Sequence, residues 1–387
     1  MSGIGSVAVV FGTRPEAIKL APVIRELTDR GREPIVISTG QHRELLDPLL
    51  ARLGIPVSVS LDVMRDNQPL SGLTARLSDS LGEALRKFRP DAVVVQGDTT
   101  SALCGALTSF YDRIPVAHVE AGLRSGVLDD PFPEELNRRL VSRLTRWHFA
   151  PTPRAAAALR AEGIEDSTID LTGNTVIDNL FWVVARGLGR SAFTTEGAAA
   201  EGAAAEGAAV RRILVTLHRR ENQGYRMRGV AEVLRRLAGR GDVEIVLPLH
   251  RSPSVRGVLV PALGGRAGIT LVEALDYPDF TATLAACDLV ITDSGGVQEE
   301  APSLGKPVLV ARDTTERPEA IEAGAARLVG TDVTALYDAA TALLDDRELY
   351  ASMSSVVNPF GDGKAAGRIV SRLCADLASS QQGSSVR

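Results

Sequence analysis

Residues 7–22 read VAVVFGTRPEAIKLAP: an apolar, β-branched run through Phe11, a Gly-Thr turn, then Arg14, Pro15 and a helical pattern. The run shows no polar alternation, so it reads as a strand covered on both faces of a parallel sheet. Proline near a first turn, followed by Ile18, Leu20, Ala21, Ile24 and Leu27 on one stripe, reads as a helix over Pro15–Asp29. The same strand-to-helix alternation recurs at PIVIST (34–39), DAVVVQG (91–97) and PVAHVE (115–120). A second series follows with RILVTL (212–217), VEIVLPL (243–249), ITLVEA (269–274), DLVITD (288–293) and PVLVAR (307–312). Strands alternating with helices indicate an α/β protein.

Two such series in 387 residues with 44% apolar content call for two Rossmann-like, doubly wound domains facing a cleft. The expected limits are 1–176 for the first and 177–362 for the second, with a helical tail over about 363–387 returning to the first. Between the series, SAFTTEGAAAEGAAAEGAAV (191–210) repeats EGAAA. Its small residues bury little surface, so it is expected to be a mobile or partly helical surface insertion. Ligands of doubly wound sheets bind beyond the carboxyl ends of the strands, and motifs are sought there.

A net charge of −5 and the lack of any long Lys/Arg block argue against nucleic acid or an anionic membrane as partner. No charged leader with an apolar core opens the chain, and no apolar run approaches the roughly 18 residues that span a bilayer, so a cytoplasmic enzyme is expected. Cys104, Cys287 and Cys374 are far apart and read as small core residues, with neither a disulfide framework nor a metal site. Neither GxGxxG nor GxxxxGK[ST] follows any strand, which disfavours bound NAD and P-loop chemistry. No cofactor is expected.

The turn FGTRPEAIKLAP (11–22) sets Arg14 and Lys19 beside a helix N-terminus, a place suited to an anion. Asp98 ends one strand in QGDTTS (96–101), Glu120 ends the next in HVEAGLRS (118–125), and PFPEELNRR (131–139) adds Glu134 and Glu135 at a helix start. Any one of these acids alone would read as a helix cap or a solvated residue. Directed together at one rim, they could hold a partly protonated carboxylate able to act as acid or base. In the second series His218 ends a strand with Arg219 and Arg220 behind it. The segment ALDYPDF (274–280) supplies Tyr277 and Phe280 in a loop, as ordinary packing or as a platform for a base. TDSGGVQEE (292–300) offers Ser294, Gly295 and Gly296 at a helix start, and RDTTERPEA (312–320) offers Thr314, Thr315 and Arg317. A uridine-diphosphate-like ligand would be well served by this set.

These segments, together with TGQHRELLD (39–47), LTGNTVIDN (171–179), TLHRREN (216–222) and GTD (330–332), run in order through almost the whole chain. The set resembles the non-hydrolysing UDP-N-acetylglucosamine 2-epimerases of bacteria. The resemblance implies two Rossmann-like domains of the glycosyltransferase-B type, assembled as a homodimer. It further implies that Arg14, His218, Ser294, Gly295, Gly296 and Arg317 hold the diphosphate, that Phe280 lies near uracil, and that Glu300 holds the ribose hydroxyls. Lys19, Asp98, Glu120, Glu134 and His218 match the residues implicated in catalysis. Gln41 and His250 match a second nucleotide-sugar site found in some relatives, but Glu44 and Asn67 depart from that pattern, Asn67 standing where those relatives carry an arginine.

The chemistry so implied is reversible epimerisation at C2 of UDP-N-acetylglucosamine to UDP-N-acetylmannosamine. C2 has no adjacent carbonyl, so its proton is lost only if a neighbouring carbon is oxidised or the anomeric UDP is expelled. Without an NAD fingerprint the second route is expected: anti elimination to 2-acetamidoglucal, then re-addition of UDP. The rival readings are a hydrolysing epimerase that releases N-acetylmannosamine and UDP, a glycosyltransferase of the same fold, and a non-catalytic nucleotide-sugar sensor. The sensor would require an eroded set of acids, and here the set is intact. The product would feed cell-surface polysaccharide or antibiotic biosynthesis.

Overall fold

A computed structural model describes residues 5–40, 43–65, 67–194 and 210–384, so Gln41 and most of the EGAAA insertion lie outside the described residues. The chain divides into two compact units, Met1–Asn179 with Phe360–Arg387, and Leu180–Pro359.

In the first unit the strands are β1 (Val7–Phe11), β2 (Ile35–Ser38), β3 (Val59–Ser60), β4 (Ala92–Gln96), β5 (Val116–Val119), β6 (Trp147–Ala150) and β7 (Ile169–Leu171). Its helices are α1 (Arg14–Asp29), α2 (Arg43–Arg52), α3 (Leu70–Phe88), α4 (Thr100–Tyr111), α5 (Glu134–Leu144) and α6 (Pro153–Ala161). The division between units falls within α7 (Thr175–Arg186). The second unit holds β8 (Arg211–Thr216), β9 (Val243–Leu249), β10 (Ile269–Glu273), β11 (Leu289–Thr292), β12 (Val308–Val310) and β13 (Ala326–Leu328). Its helices are α8 (Tyr225–Ala238), α9 (Pro253–Leu263), α10 (Tyr277–Ala286), α11 (Gly295–Glu300), α12 (Pro318–Glu322), α13 (Val333–Asp345) and α14 (Arg347–Ser354). The tail helix α15 (Ala365–Ser384) belongs to the first unit, where Arg30, at the end of α1, donates to the Gly367 carbonyl and to Ser371.

Both sheets are wholly parallel, in the orders β3-β2-β1-β4-β5-β6-β7 and β10-β9-β8-β11-β12-β13. The central strands explain the unbroken apolar runs of the sequence: every residue of β1 and of β4 is buried, because helices cover both faces. On α3 the buried Leu73, Leu77, Leu81 and Leu85 recur at one-turn spacing and close one face of the sheet. Each such leucine contributes about 1.5–3 kcal/mol by leaving water.

Winding runs outward in opposite directions from β1 and β4 in one sheet, and from β8 and β11 in the other. The carboxyl ends of those neighbouring strands therefore open a crevice in each unit. Gly12 to Arg14 and Gly97 to Asp98 leave the first sheet there; His218 and Asp293 to Gly295 leave the second.

Candidate active site

In the first unit the helix start after β1 is already occupied by an anion of the chain itself. Glu16 is buried and its carboxylate accepts the amides of Gly12 (3.0 Å) and Thr13 (2.7 Å), the Thr13 hydroxyl (2.8 Å) and, on its other oxygen, the Thr99 hydroxyl (2.6 Å). Burial raises its pKa even against these hydrogen bonds. Two amides of this turn are thus taken within the chain, and Glu16 ties the β1–α1 turn to the β4–α4 turn. Arg14 remains as the cation of this rim. Its Nε is buried with no hydrogen-bond partner among the described residues.

Glu120 follows β5 with φ of 63°, a left-handed backbone that a non-glycine residue adopts at a cost. Surrounding contacts hold it there. One carboxylate oxygen accepts from Lys19 (2.5 Å) and Asn174 (3.2 Å), the other from Gln96. Asp98 pairs with Arg138, whose guanidinium also reaches the fully buried Glu135, and Asn137 donates to the Asp98 carbonyl at 2.9 Å. Glu134 stands one turn before Arg138 on α5 and so shares the helix face that meets Asp98. The acids do not form a bare carboxylate cluster. Asp98 and Glu120 each come with a cation of their own.

His118, on β5, was not among the residues expected to matter. Its Nε2 donates to the Gly97 carbonyl at 2.8 Å, beside Asp98, and burial pushes its pKa down to about 3, so the ring stays neutral and keeps that donor.

In the second unit Asp293 is the centre of the hydrogen bonding. It is completely buried, and it accepts the amides of His218 and Arg219 and the side chain of Asn222, all at 3.0 Å. The His218 Nδ1 lies 3.2 Å from it. Burial alone would raise its pKa, but the His218 ring, the Arg219 amide and Asn222 outweigh that and hold the carboxylate below its ordinary range. The exposed His250 stacks on His218 with ring centroids 5.7 Å apart, and loss of solvent together with that neighbour lowers its own pKa.

Two guanidinium groups converge on the turn after β11. A methyl group at Gly295 would lie 3.7 Å from Nη2 of Arg219 and 3.9 Å from Cζ of Arg317. Arg317 is held by the buried Glu299, while Glu300 curls back until its Oε1 lies 4.0 Å from where a methyl at Gly296 would be. The two adjacent acids of TDSGGVQEE therefore act differently, Glu299 orienting an arginine and Glu300 bordering the glycine turn. The Ser294 amide is taken by the Thr292 hydroxyl at 2.9 Å.

Phe280 and Tyr277 do not lie in a loop. Asp276 accepts the Asp279 amide at 3.1 Å and Pro278 sits in the first turn, so the segment starts α10, with Tyr277 buried and Phe280 half-buried. Sequence reasoning also passed over Asn174, Gln96, Arg138 and Asp293, which position the acids and the histidine. Only Asp293 carried a signal, as an acid ending a buried strand.

The architecture has known counterparts. A family profile described as UDP-N-acetylglucosamine 2-epimerase matches residues 25–374. The UDP-N-acetylglucosamine 2-epimerase of Escherichia coli strain K12 is 45% identical over 372 residues, covering 95% of this chain and 98% of that protein. The crystal structure of the Neisseria meningitidis UDP-GlcNAc 2-epimerase bound to UDP-GlcNAc superposes with a TM-score of 0.83 at 41% identity, covering 95% of this chain and 99% of that one. The Methanocaldococcus jannaschii enzyme in complex with UDP-GlcNAc and UDP gives a TM-score of 0.75 at 34% identity, with 95% and 99% covered. With two wholly parallel sheets and similarity along nearly the full length, this chain belongs to the UDP-N-acetylglucosamine 2-epimerase family.

Proposed function

We propose that the protein interconverts UDP-N-acetylglucosamine and UDP-N-acetylmannosamine by anti elimination of UDP and re-addition through 2-acetamidoglucal. The observation that carries this reading is Glu120, held in left-handed backbone and paired with Lys19 on the rim where Asp98 also emerges. A carboxylate takes the C2 proton, the C1–O bond breaks, and its electron pair leaves with UDP. Re-addition with protonation from the other face of C2 gives the epimer. Arg219 and Arg317, converging on Gly295, stabilise the charge on the departing diphosphate. Arg14, His218, Ser294 and Gly296 complete the diphosphate set in this reading, with Phe280 near uracil and Glu300 on the ribose. Lys19, Asp98, Glu120 and Glu134 serve the sugar.

The test is a proton NMR time course with UDP-N-acetylglucosamine in D₂O. The expected result is a mixture of the two UDP-sugars, both deuterated at C2. Free N-acetylmannosamine appearing with equal UDP would establish the hydrolysing reaction instead.

The reading also makes the protein a cytoplasmic homodimer. Among the described residues no helix is long and apolar enough to cross a membrane. Support for pairing comes from the exposed Phe110, Tyr111, Leu128, Phe132, Leu136 and Leu140, on α4, α5 and the loop between β5 and α5. Leu136 and Leu140 lie one turn apart on one face of α5. Light scattering should give a dimer for the wild type and a monomer for Leu136→Lys/Leu140→Lys; a monomeric wild type at micromolar concentration rules the dimer out.

A further inference from the structure

We propose that Asp293 is a positioning residue that fixes the His218 imidazole with a proton on Nδ1, leaving Nε2 as the nitrogen that meets the ligand. The assignment to a ligand rests on the epimerase reading above; the orientation rests on geometry alone.

The pairing is built into the sheet. β8 and β11 are neighbours with Thr216 opposite Thr292, and their hydroxyls hydrogen-bond at 2.5 Å. The chain leaves these two strand ends side by side, which brings His218 and Asp293 together without any adjustable loop. Asp293 then binds the His218 backbone and ring at once: the His218 amide lies 3.0 Å from both carboxylate oxygens and Nδ1 lies 3.2 Å from Oδ1.

The remaining partners remove ambiguity about the proton. The Arg219 amide can only donate. The Asn222 side chain is oriented by its second bond, from Nδ2 to the Ala311 carbonyl at 2.9 Å, so Nδ2 and not its oxygen faces Asp293. Among the described residues, every other hydrogen-bond partner of the carboxylate is thus an N–H. An unprotonated Nδ1 would set a lone pair against the anion; a protonated one completes the set. Uptake of a further proton at Nε2 then creates an imidazolium beside a buried carboxylate. The titratable ring stacked on His218 is His250, and Arg219, next in the chain, pairs with Glu316.

A buried carboxylate two residues before a glycine on which two arginines converge works against binding of an anionic ligand. Its presence there is accounted for by what it does to His218.

Nitrogen-15 NMR of the imidazoles reads the tautomer directly, with the His218 signal assigned by its loss in His218→Gln. The wild type is expected to show the proton on Nδ1 when the ring is neutral. A neutral ring carrying its proton on Nε2 in the wild type overturns the proposal, and this measurement needs neither a variant nor turnover. In Asp293→Asn the amide oxygen still accepts backbone N–H groups while the –NH₂ faces Nδ1, so the proton should move to Nε2. The same variant should lose about 10²–10⁴-fold in kcat for C2 exchange, with KM changed little. On a His218→Gln background, Asp293→Asn should add nothing further. Undiminished kcat in Asp293→Asn, or additive losses in the double variant, would also overturn it. If the wild type shows the expected tautomer but no C2 exchange, the epimerase reading fails and the positioning role of Asp293 stands.

Discussion

Asp98→Asn and Glu120→Gln should each slow exchange of the C2 hydrogen of UDP-N-acetylglucosamine by about 10²–10⁴-fold, the usual contribution of one positioned acid or base. The two variants should differ in stability. Glu120 is buried and pairs with Lys19, whose side chain is only 16% exposed, so a neutral glutamine breaks a mostly buried ion pair. Losses of this type reach about 3–5 kcal/mol. Asp98 is more exposed, and its partner Arg138 keeps the buried Glu135 as a second anion. Asp98→Asn should therefore melt close to the wild type while Glu120→Gln melts well below it. Exchange in D₂O followed by NMR, paired with thermal melts, separates the chemical loss from the structural one. Undiminished exchange in both folded variants would remove the two acids from the mechanism.

Gly295→Ala should abolish tight UDP binding while leaving the fold intact or slightly firmer. Gly295 opens α11 without a left-handed φ, and the nearest atom to an added methyl lies at 3.7 Å, ordinary van der Waals contact. Glycine in a helix costs roughly 0.5–1 kcal/mol relative to alanine, so the ligand-free protein has nothing to lose. The methyl would stand among Arg219, Arg317 and the Glu316 carboxylate, where the proposed reading seats a phosphate. Two charge-assisted hydrogen bonds of about 1.5–3 kcal/mol each are at stake, which corresponds to a loss of at least about 100-fold in UDP affinity. Calorimetric titration with UDP checks this. Wild-type affinity in Gly295→Ala would mean that the diphosphate sits elsewhere.

The long buried strands are legible because covering a parallel sheet on both faces leaves no polar position to confuse the pattern. The strands β3, β6, β7 and β13 are not: none is an unbroken β-branched run, and alternation over three residues, as in Trp147-His148-Phe149 or Ala326-Arg327-Leu328, is too short to mark a strand. Tyr277 and Phe280 read as loop residues although Asp276 and Pro278 together spell a helix start. The acids at strand ends can be named because position on a parallel sheet predicts the rim. Their partners cannot. Lys19 and Glu120 are 101 residues apart, and Asp98 and Arg138 are 40 apart, so nothing local marks either as paired. Glu16 shows the limit most clearly: beside Arg14 and Pro15 it reads as an ordinary first-turn acid, and only the packing of two turns against each other reveals it as a buried plug.

That plug makes two units of like topology respond differently to a ligand. In the first, two amides of the helix start after β1 are taken by a carboxylate of the chain itself. In the second, the arginines around Gly295 lean on the carboxylates of Glu299 and Glu316, and the diphosphate of the proposed reading would compete with those carboxylates for the same guanidinium groups. On the proposed reading, the cations of the second unit change partners when the nucleotide arrives, while the Glu16 contacts of the first do not.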